Sequence, residues 1–334
     1  MENVENKLHE SGCAEGMLKN VKIIGMGKKL PQTGISNETL AEFLDTSDEW
    51  ILSKTGIKTR TICTDESLTD LAVAASQNAL DNAGLSAADI DMVICATVTG
   101  DYSMPSLACQ VLEHLKISCP AFDINAACTG FIYALDVADS FIKSGKAKNI
   151  LIVCAEMMSR VVDWKDRTSC ILFGDGAGAC IVTTGNSLKY IRTLTDAQTD
   201  LLFTKSGRGN SPFSSEETPG FLQMQGQHVY KFAVKTIEQE ITLALATLNK
   251  SANDIDYFIL HQANARIING ARTRLKLPPE KFPMNIQKYG NMSAASIPVL
   301  LAEMQESGHL QKGNTLLLLG FGAGMTAGTA IIEW

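Results

Sequence analysis

Apolar residues along this chain fall into short continuous runs separated by amphipathic stretches. MVICAT (92–97), ILIVCA (150–155), YFILH (257–261) and LLLLG (316–320) are each of strand length and almost wholly apolar. That is the pattern of strands buried on both faces. VKIIGM from Val21, PAFDIN (120–125) and the terminal TAIIEW predict further strands. Between them lie helical patterns. A short helix is predicted near Glu38 to Asp45. Thr46-Ser47-Asp48-Glu49 has capping-box spacing and opens a turn or helix through Trp50. A longer helix covers about Thr69 to Ala83, with Gly84 as its stop. Others follow Pro105 (SLACQVLEHL), Cys128 (through about Ile142), Gln227 (to Asn249), Ala263 and Asn291. CILFGDGAGACIVTT (170–184) reads as two strands around a glycine turn. Residues 186–225, with SGRGNSPFSSEETPG, read as less regular and exposed. Strands alternating with helices predict α/β layers with both sheet faces covered.

The pattern occurs twice. ALDNAGLSAADID (79–91) returns as ALATLNKSANDID (244–256), a shift of 165 residues. The same shift lays NAACTGFIYAL (125–135) over GNMSAASIPVL (290–300), and ILIVC (150–154) over TLLLL (315–319). One spacing across three blocks of different element type indicates a duplicated unit. The expected organisation is a flexible extension over residues 1–19, a first half over 20–190 and a second over 191–334. Two such halves sharing a central helix layer give five stacked layers, αβαβα.

Length and charge narrow the class. The chain has 334 residues, enough for two cores of domain size. A formal net charge of −7 argues against general nucleic-acid binding, while leaving room for anionic substrates at a local basic patch. No apolar run approaches the roughly 20 residues of a membrane helix. The polar, acidic start MENVENKLHESGCAEGMLKN has no secretory apolar segment. Nine cysteines, an odd number without any CxxC, fit neither a disulfide framework nor a zinc site. The expected setting is a reducing, cytoplasmic one, with most cysteines acting as small buried hydrophobes and with no metal.

Cys128 stands apart. It sits between a strand and a helix, where the helix dipole and free N–H groups favour a thiolate and lower its pKa, and small neighbours (Ala126, Ala127, Gly130) leave space beside it. His261 ends the strand YFIL at the edge where α/β sheets bind ligands. Asn291, in YGNMSAAS, falls beside Ser293, the residue that the 165-residue shift places opposite Cys128. Each alone has a plain structural reading: a buried cysteine at a helix start, a satisfied histidine, a helix cap. Together they occupy equivalent strand-to-helix junctions of two halves, which pseudo-twofold packing would bring to one site. GFGAGMTAG (320–328) is no dinucleotide loop, since only ten residues follow Gly324. Its bare N–H groups suit an oxyanion hole.

At this point NAACTGF, FGDGAG, HQAN-x-RII, GN-x-SAAS-x-P, GFGAG and TSDEWI-x-x-x-TGI resemble, in order and spacing, the β-ketoacyl-acyl carrier protein synthase III family, over about Val21 to Trp334. The resemblance implies the thiolase fold and a ping-pong Claisen condensation that initiates fatty-acid synthesis. Cys128 would take an acyl group from acyl-CoA. His261 and Asn291 would bind the thioester carbonyl of malonyl-acyl carrier protein as CO₂ leaves. Cys128 N–H and an N–H from Gly322, Ala323 and Gly324 would form the other oxyanion hole; the family usually has three glycines there. Trp50 and Arg167 match the residues that hold the CoA adenine, and Lys54 stands where many relatives carry arginine. Gln262, Ala263, Asn264, Ala265 and Arg266 match the carrier-protein stretch, with Lys231 adding a basic landing site. Met104, where several relatives carry phenylalanine, matches the end of the partner subunit's acyl pocket, to which Phe321 is also assigned. A homodimer without cofactor is implied. The alternatives are a divergent homologue serving as starter-unit synthase or acyltransferase in specialised metabolism, and a non-catalytic binding role. A papain-like Cys-His-Asn protease lacks both the local motif and the duplication.

Overall fold

The structure, a computed structural model, describes residues 20–206, 212–213 and 220–334; the expected extension over 1–19 and most of the SGRGNSPFSSEETPG loop lie outside them. The first half runs β1 (Asn20–Lys29), β2 (Thr33–Ser36), α1 (Asn37–Ala41), α2 (Asp48–Thr55), β3 (Thr59–Ile62) and α3 (Leu68–Ala83). It continues with β4 (Met92–Ala96), α4 (Leu107–Leu115), β5 (Ala121–Ile124), α5 (Gly130–Lys143), β6 (Asn149–Met157) and β7 (Asp175–Gly185). The second runs β8 (Leu188–Gln198), β9 (Leu202–Phe203), β10 (Gln223–Met224), α6 (Gly226–Thr247), β11 (Tyr257–Leu260) and α7 (Ala265–Leu275). It ends with α8 (Ile286–Tyr289), α9 (Ser296–Glu306), β12 (Thr315–Gly322) and β13 (Gly324–Glu333).

Two sheets carry the fold. One has the order β1-β7-β6-β4-β5, the other β11-β12-β13-β8. Read from β4 and from β11 they are the same: a parallel pair, then two antiparallel neighbours. Strand alternation explains the layers. In β6, Ile150, Ile152 and Cys154 face a central cluster, while Leu151, Val153 and Ala155 face an outer one with α3 and α4. In β12, Leu316 and Leu318 join the central cluster, and Leu317 and Leu319 join α6 and α7. The middle layer is α5 and α9, through Phe131, Ile132, Leu135, Ile297, Leu300 and Leu301. The expected αβαβα stack is therefore formed, and each run is apolar throughout because each strand is buried on both faces. Each fully buried aliphatic side chain contributes about 1.5–3 kcal/mol.

Three expectations change. GDGAG is not a turn between two strands: Asp175 onward is one strand, β7. Its glycines answer to packing. A Cβ on Gly174 would sit 2.1 Å from the Tyr289 carbonyl oxygen, and one on Gly178 would sit 2.8 Å from Val299 N. The stretch read as irregular contains β8, an eleven-residue edge strand. Among the described residues it pairs only with β13, and its polar residues reach solvent and blur the apolar pattern. The cap of α2 is Ser47, whose side chain accepts from Trp50 N at 3.1 Å, one residue later than the spacing suggested.

The repeat also gains a residue midway. Met92 pairs with Ile150, and Tyr257 with Leu316, so ILIVC lies over LLLLG. The 3-10 turn Ala127–Thr129 before α5 matches Ser293–Ala295 before α9, and Ala127 and Ser293 share left-handed φ values of 47° and 49°. The extra residue is absorbed where the first half has strand β5 and the second has α8 and Gly290.

Candidate active site

The slip of one residue reassigns the site. The counterpart of Cys128 is Ala294, not Ser293, and Asn291 is the counterpart of Asn125. Both asparagines fold back on their own backbone: Asn125 Oδ1 accepts from Ala127 N at 3.4 Å, and Asn291 Oδ1 from Ser293 N at 2.9 Å. With Oδ1 so used, the Asn291 amide leaves its Nδ2 donor for a ligand. Its backbone is clamped by Asn291 N to Leu172 O at 2.8 Å and by Gly174 N to Asn291 O at 3.0 Å. The FGDGAG stretch is thus the cradle of Asn291.

Alternation aims the other groups. Ile259 faces the central layer, so His261, two residues on, faces it too. His261 N donates to Leu319 O at 2.8 Å. Its ring meets Phe321 edge-on, with centroids 5.3 Å apart. In β12 the central-facing positions after Leu318 are Gly320 and Gly322, and both press on the Cys128 turn. A Cβ on Gly320 would be 3.2 Å from Thr129 Cα, and one on Gly322 would be 2.8 Å from Cys128 N.

Cys128, His261 and Asn291 line one cavity of about 1440 Å³, with Phe321, Gly322, Ala323 and Gly324. Trp50, Lys54, Ala263, Asn264, Arg266 and Lys231 also line it. Four of the predicted residues stand elsewhere. Arg167 stacks on Trp50, its guanidinium carbon 5.1 Å from the ring centroid, and donates to the carbonyl and carboxylate of Asp45. Met104 is 83% exposed and lies outside the lining of its own chain's cavity. Ala265 packs its methyl against Gly56. Gln262 is the clear correction. Its side chain is wholly buried, donating to Leu260 O at 2.7 Å and accepting from Asn285 N at 3.2 Å, so it braces the strand end and offers no surface to a partner. Asn264 caps α7 through Arg266 N and reaches Lys54 O at 3.1 Å, tying α7 to α2.

The electrostatics run against one expectation. Cys128 is half-buried, with part of its surface on the cavity and protein packed around the rest. Burial pushes its thiol up to about 12, although the Ser293 hydroxyl and the backbone amide beside the sulfur act to lower it. Desolvation outweighs the helix start. Burial likewise holds the His261 imidazole down at about 3, so it is neutral. Nδ1 is buried without a partner, which leaves the Nε2 side for the cavity.

Sequence reasoning passed over Glu156 and used Ser293 only as a repeat position. Glu156 is wholly buried, and its carboxylate accepts from Ser293 Oγ at 3.0 Å. A lone acid ending the apolar run ILIVCA was the available signal, since buried carboxylates are rare without a purpose. Among the described residues no group of side chains could hold a metal ion, and no helix is long and apolar enough to cross a membrane.

Comparisons with known proteins identify the family. Residues 122–199 match the family model 3-Oxoacyl-[acyl-carrier-protein (ACP)] synthase III, and residues 245–334 match its C-terminal companion. A β-ketoacyl-[acyl-carrier-protein] synthase III of Clostridium perfringens is 48% identical over 323 residues, 95% of this chain and 100% of that protein. The crystal structure of 3-oxoacyl-[acyl-carrier-protein] synthase III from Aquifex aeolicus VF5 superposes with a TM-score of 0.87 at 42% identity, covering 94% of this chain and 100% of that one. The enzyme of Pseudomonas aeruginosa PAO1 superposes with a TM-score of 0.88 at 37% identity, covering 94% and 98%. With matched stretches on both halves and near-complete coverage at such identity, the chain belongs to the β-ketoacyl-[acyl-carrier-protein] synthase III family of condensing acyltransferases.

Proposed function

We propose that the protein joins an acyl-CoA primer to malonyl-acyl carrier protein by decarboxylating Claisen condensation, initiating fatty-acid synthesis. The observation that carries this reading is the convergence of Cys128, His261 and Asn291 on one cavity. In the first half-reaction the Cys128 sulfur attacks the acyl-CoA thioester. The Cys128 amide, beside Gly322, and an N–H of the Gly322–Gly324 turn receive the oxyanion. In the second, a neutral His261 and the Asn291 amide donate to the malonyl thioester carbonyl as CO₂ leaves. Neutral donors suit this step, because they stabilise the enolate without protonating it. The carbanion then attacks the acyl-Cys128 thioester and frees the product.

Supporting features surround this core. Trp50 offers a ring face for the adenine, with Arg167 above it and Lys54 nearby for phosphate. Exposed Arg266 and Lys231 give an acidic carrier protein a basic approach, with Ala263 and Asn264 shaping the rim. A homodimer would bring Met104, with Tyr102 at 62% exposure close by in sequence, towards the partner's acyl pocket, of which Phe321 is a wall. The two halves are read as meeting near the start of β8. The test is intact mass after mixing with acetyl-CoA, then product detection on adding malonyl-acyl carrier protein. The expected result is an acyl adduct on Cys128 that disappears as 3-oxoacyl-carrier forms. No adduct with any acyl-CoA would refute the reading.

A further inference from the structure

Cys128 is acylated in the reading above, and a buried thiol must first lose its proton. A route for it leads inwards. Ser293 and Cys128 line the same cavity from two 3-10 turns packed on one another, and Ser293 Oγ donates to Glu156 Oε1 at 3.0 Å. In β6 the residues Ile150, Ile152 and Cys154 face the central layer, and Glu156 continues that face towards the two 3-10 turns that carry Cys128 and Ser293. Its second oxygen is fully occupied: Oε2 accepts from Thr99 Oγ1 at 2.7 Å, Val98 N at 3.1 Å and Thr97 Oγ1 at 3.3 Å. Oε1 has Ser293 as its partner. Ser293 is held there by a left-handed backbone, φ 49°, that a non-glycine residue seldom adopts. Ala127, its counterpart in the first half, has nearly the same φ, so the duplicated turn fixes the position from which Ser293 reaches Glu156.

We infer that Glu156, acting through the Ser293 hydroxyl, takes the Cys128 proton when the thiol is acylated and returns it when condensation releases the thiolate. This rests on the condensing reading. In the first half-reaction the S–H bond breaks as sulfur attacks the acyl carbon. The proton passes to Ser293 Oγ, and the proton of Ser293 passes to Glu156. The CoA thiolate leaves and is protonated by water. In the second half-reaction the malonyl carboxylate departs as CO₂, its electron pair forms the new C–C bond, and the Cys128 thiolate is expelled. Ser293 then donates to sulfur and recovers a proton from Glu156, which ends ionised as it began. The proton rests on Glu156 between the two steps, and charge balances in each.

The surroundings suit a base of this kind. None of the hydrogen-bond partners of Glu156 is charged, and the titratable groups facing it are the thiols of Cys128 and of Cys154 on its own strand. Burial pushes its carboxyl up to about 7, near the pH at which general bases work best.

The test is the rate of acyl-enzyme formation from acetyl-CoA, read by quench and intact mass from pH 5.5 to 9. The chains compared are wild type, Glu156→Gln and Ser293→Ala. The wild-type rate is expected to rise with a midpoint near 7 and then level. Both variants are expected to lose that step and to acylate about 10²-fold more slowly at pH 8. Should Glu156→Gln fail to fold, Ser293→Ala, which keeps the carboxylate, carries the same expectation. A wild-type profile in either variant, or an equal slowing at every pH, overturns the inference and leaves the condensing reading standing. A wild-type thiol that never acylates removes both.

Discussion

The backbone of Gly322 lies directly against the amide of Cys128, so close that a methyl group on Gly322 would be 2.8 Å from Cys128 N and 3.2 Å from its Cβ. The sheet of the second half thereby sets the height of the nucleophile of the first. Gly322→Ala forces one backbone away from the other. The expected cost is about 1–3 kcal/mol of stability. Acylation should slow by about 10²-fold, because a misplacement on the order of 1 Å has that effect. Thermal unfolding and acyl-enzyme kinetics check both numbers. Wild-type rates in a well-folded Gly322→Ala variant would show that this approach has no catalytic consequence.

The division of labour in the cavity predicts a split between half-reactions. His261→Ala and Asn291→Ala remove the donors proposed for the malonyl thioester, so each should slow decarboxylation by about 10²–10³-fold. Both should still accept an acyl group, visible as a mass increase. Cys128→Ser should lose the adduct altogether. Equal loss of both steps in the His261 and Asn291 variants would contradict the assignment.

The imidazole of His261, held near 3 by burial, stays neutral across the working range. The decarboxylation rate of preformed acyl-enzyme should therefore show no step near pH 6.5, where an ordinary histidine titrates. A rise or fall centred there, absent in His261→Asn, would mean that the ring titrates in the active state.

Glu156 makes stability depend on pH. Its carboxyl titrates near 7 when folded and near 4.5 otherwise, so the folded state binds the extra proton between those values. The stability it contributes is complete below about pH 4.5 and is lost as pH rises through 7. Glu156→Gln removes this dependence. Its stability relative to wild type should rise by up to about 3 kcal/mol between pH 4.5 and 8. His261, neutral when folded, adds the same pH dependence to both proteins and cancels. Denaturant unfolding at the two pH values measures the difference, and a constant gap between the proteins would refute it.

Trp50 and the Arg167 guanidinium, 5.1 Å from its ring centroid, form a cation–π stack, the one proposed to receive the acyl-CoA adenine. Trp50→Ala should raise KM for acyl-CoA about tenfold with kcat little changed, as loss of uniform binding requires. A fall in kcat at unchanged KM would place Trp50 elsewhere in the mechanism.

The layers of the fold were legible because they follow from patterns local to the chain. Strand-length apolar runs such as ILIVCA and LLLLG exist only where both faces are covered. Less legible was whatever depended on a neighbour's position. Edge strand β8 is polar on its open side, and the GDGAG glycines look like a turn until Tyr289 and Val299 are seen packed against them. Gln262 reads as a surface residue in HQAN, yet hydrogen bonds to Leu260 and Asn285 hold it inside.

The amino-acid order alone determined that two related α/β units are present and that a thiol, an imidazole and an amide stand at their strand-to-helix junctions. Periodicity and motif spacing are properties of one dimension. Only the folded arrangement decided the correspondence of Asn291 with Asn125, the pressure of Gly322 on Cys128, and the hydrogen bond from Ser293 to the buried Glu156. Those relations join residues more than a hundred positions apart. The thiol's high pKa likewise belongs to the packing, since desolvation depends on what surrounds a group in space.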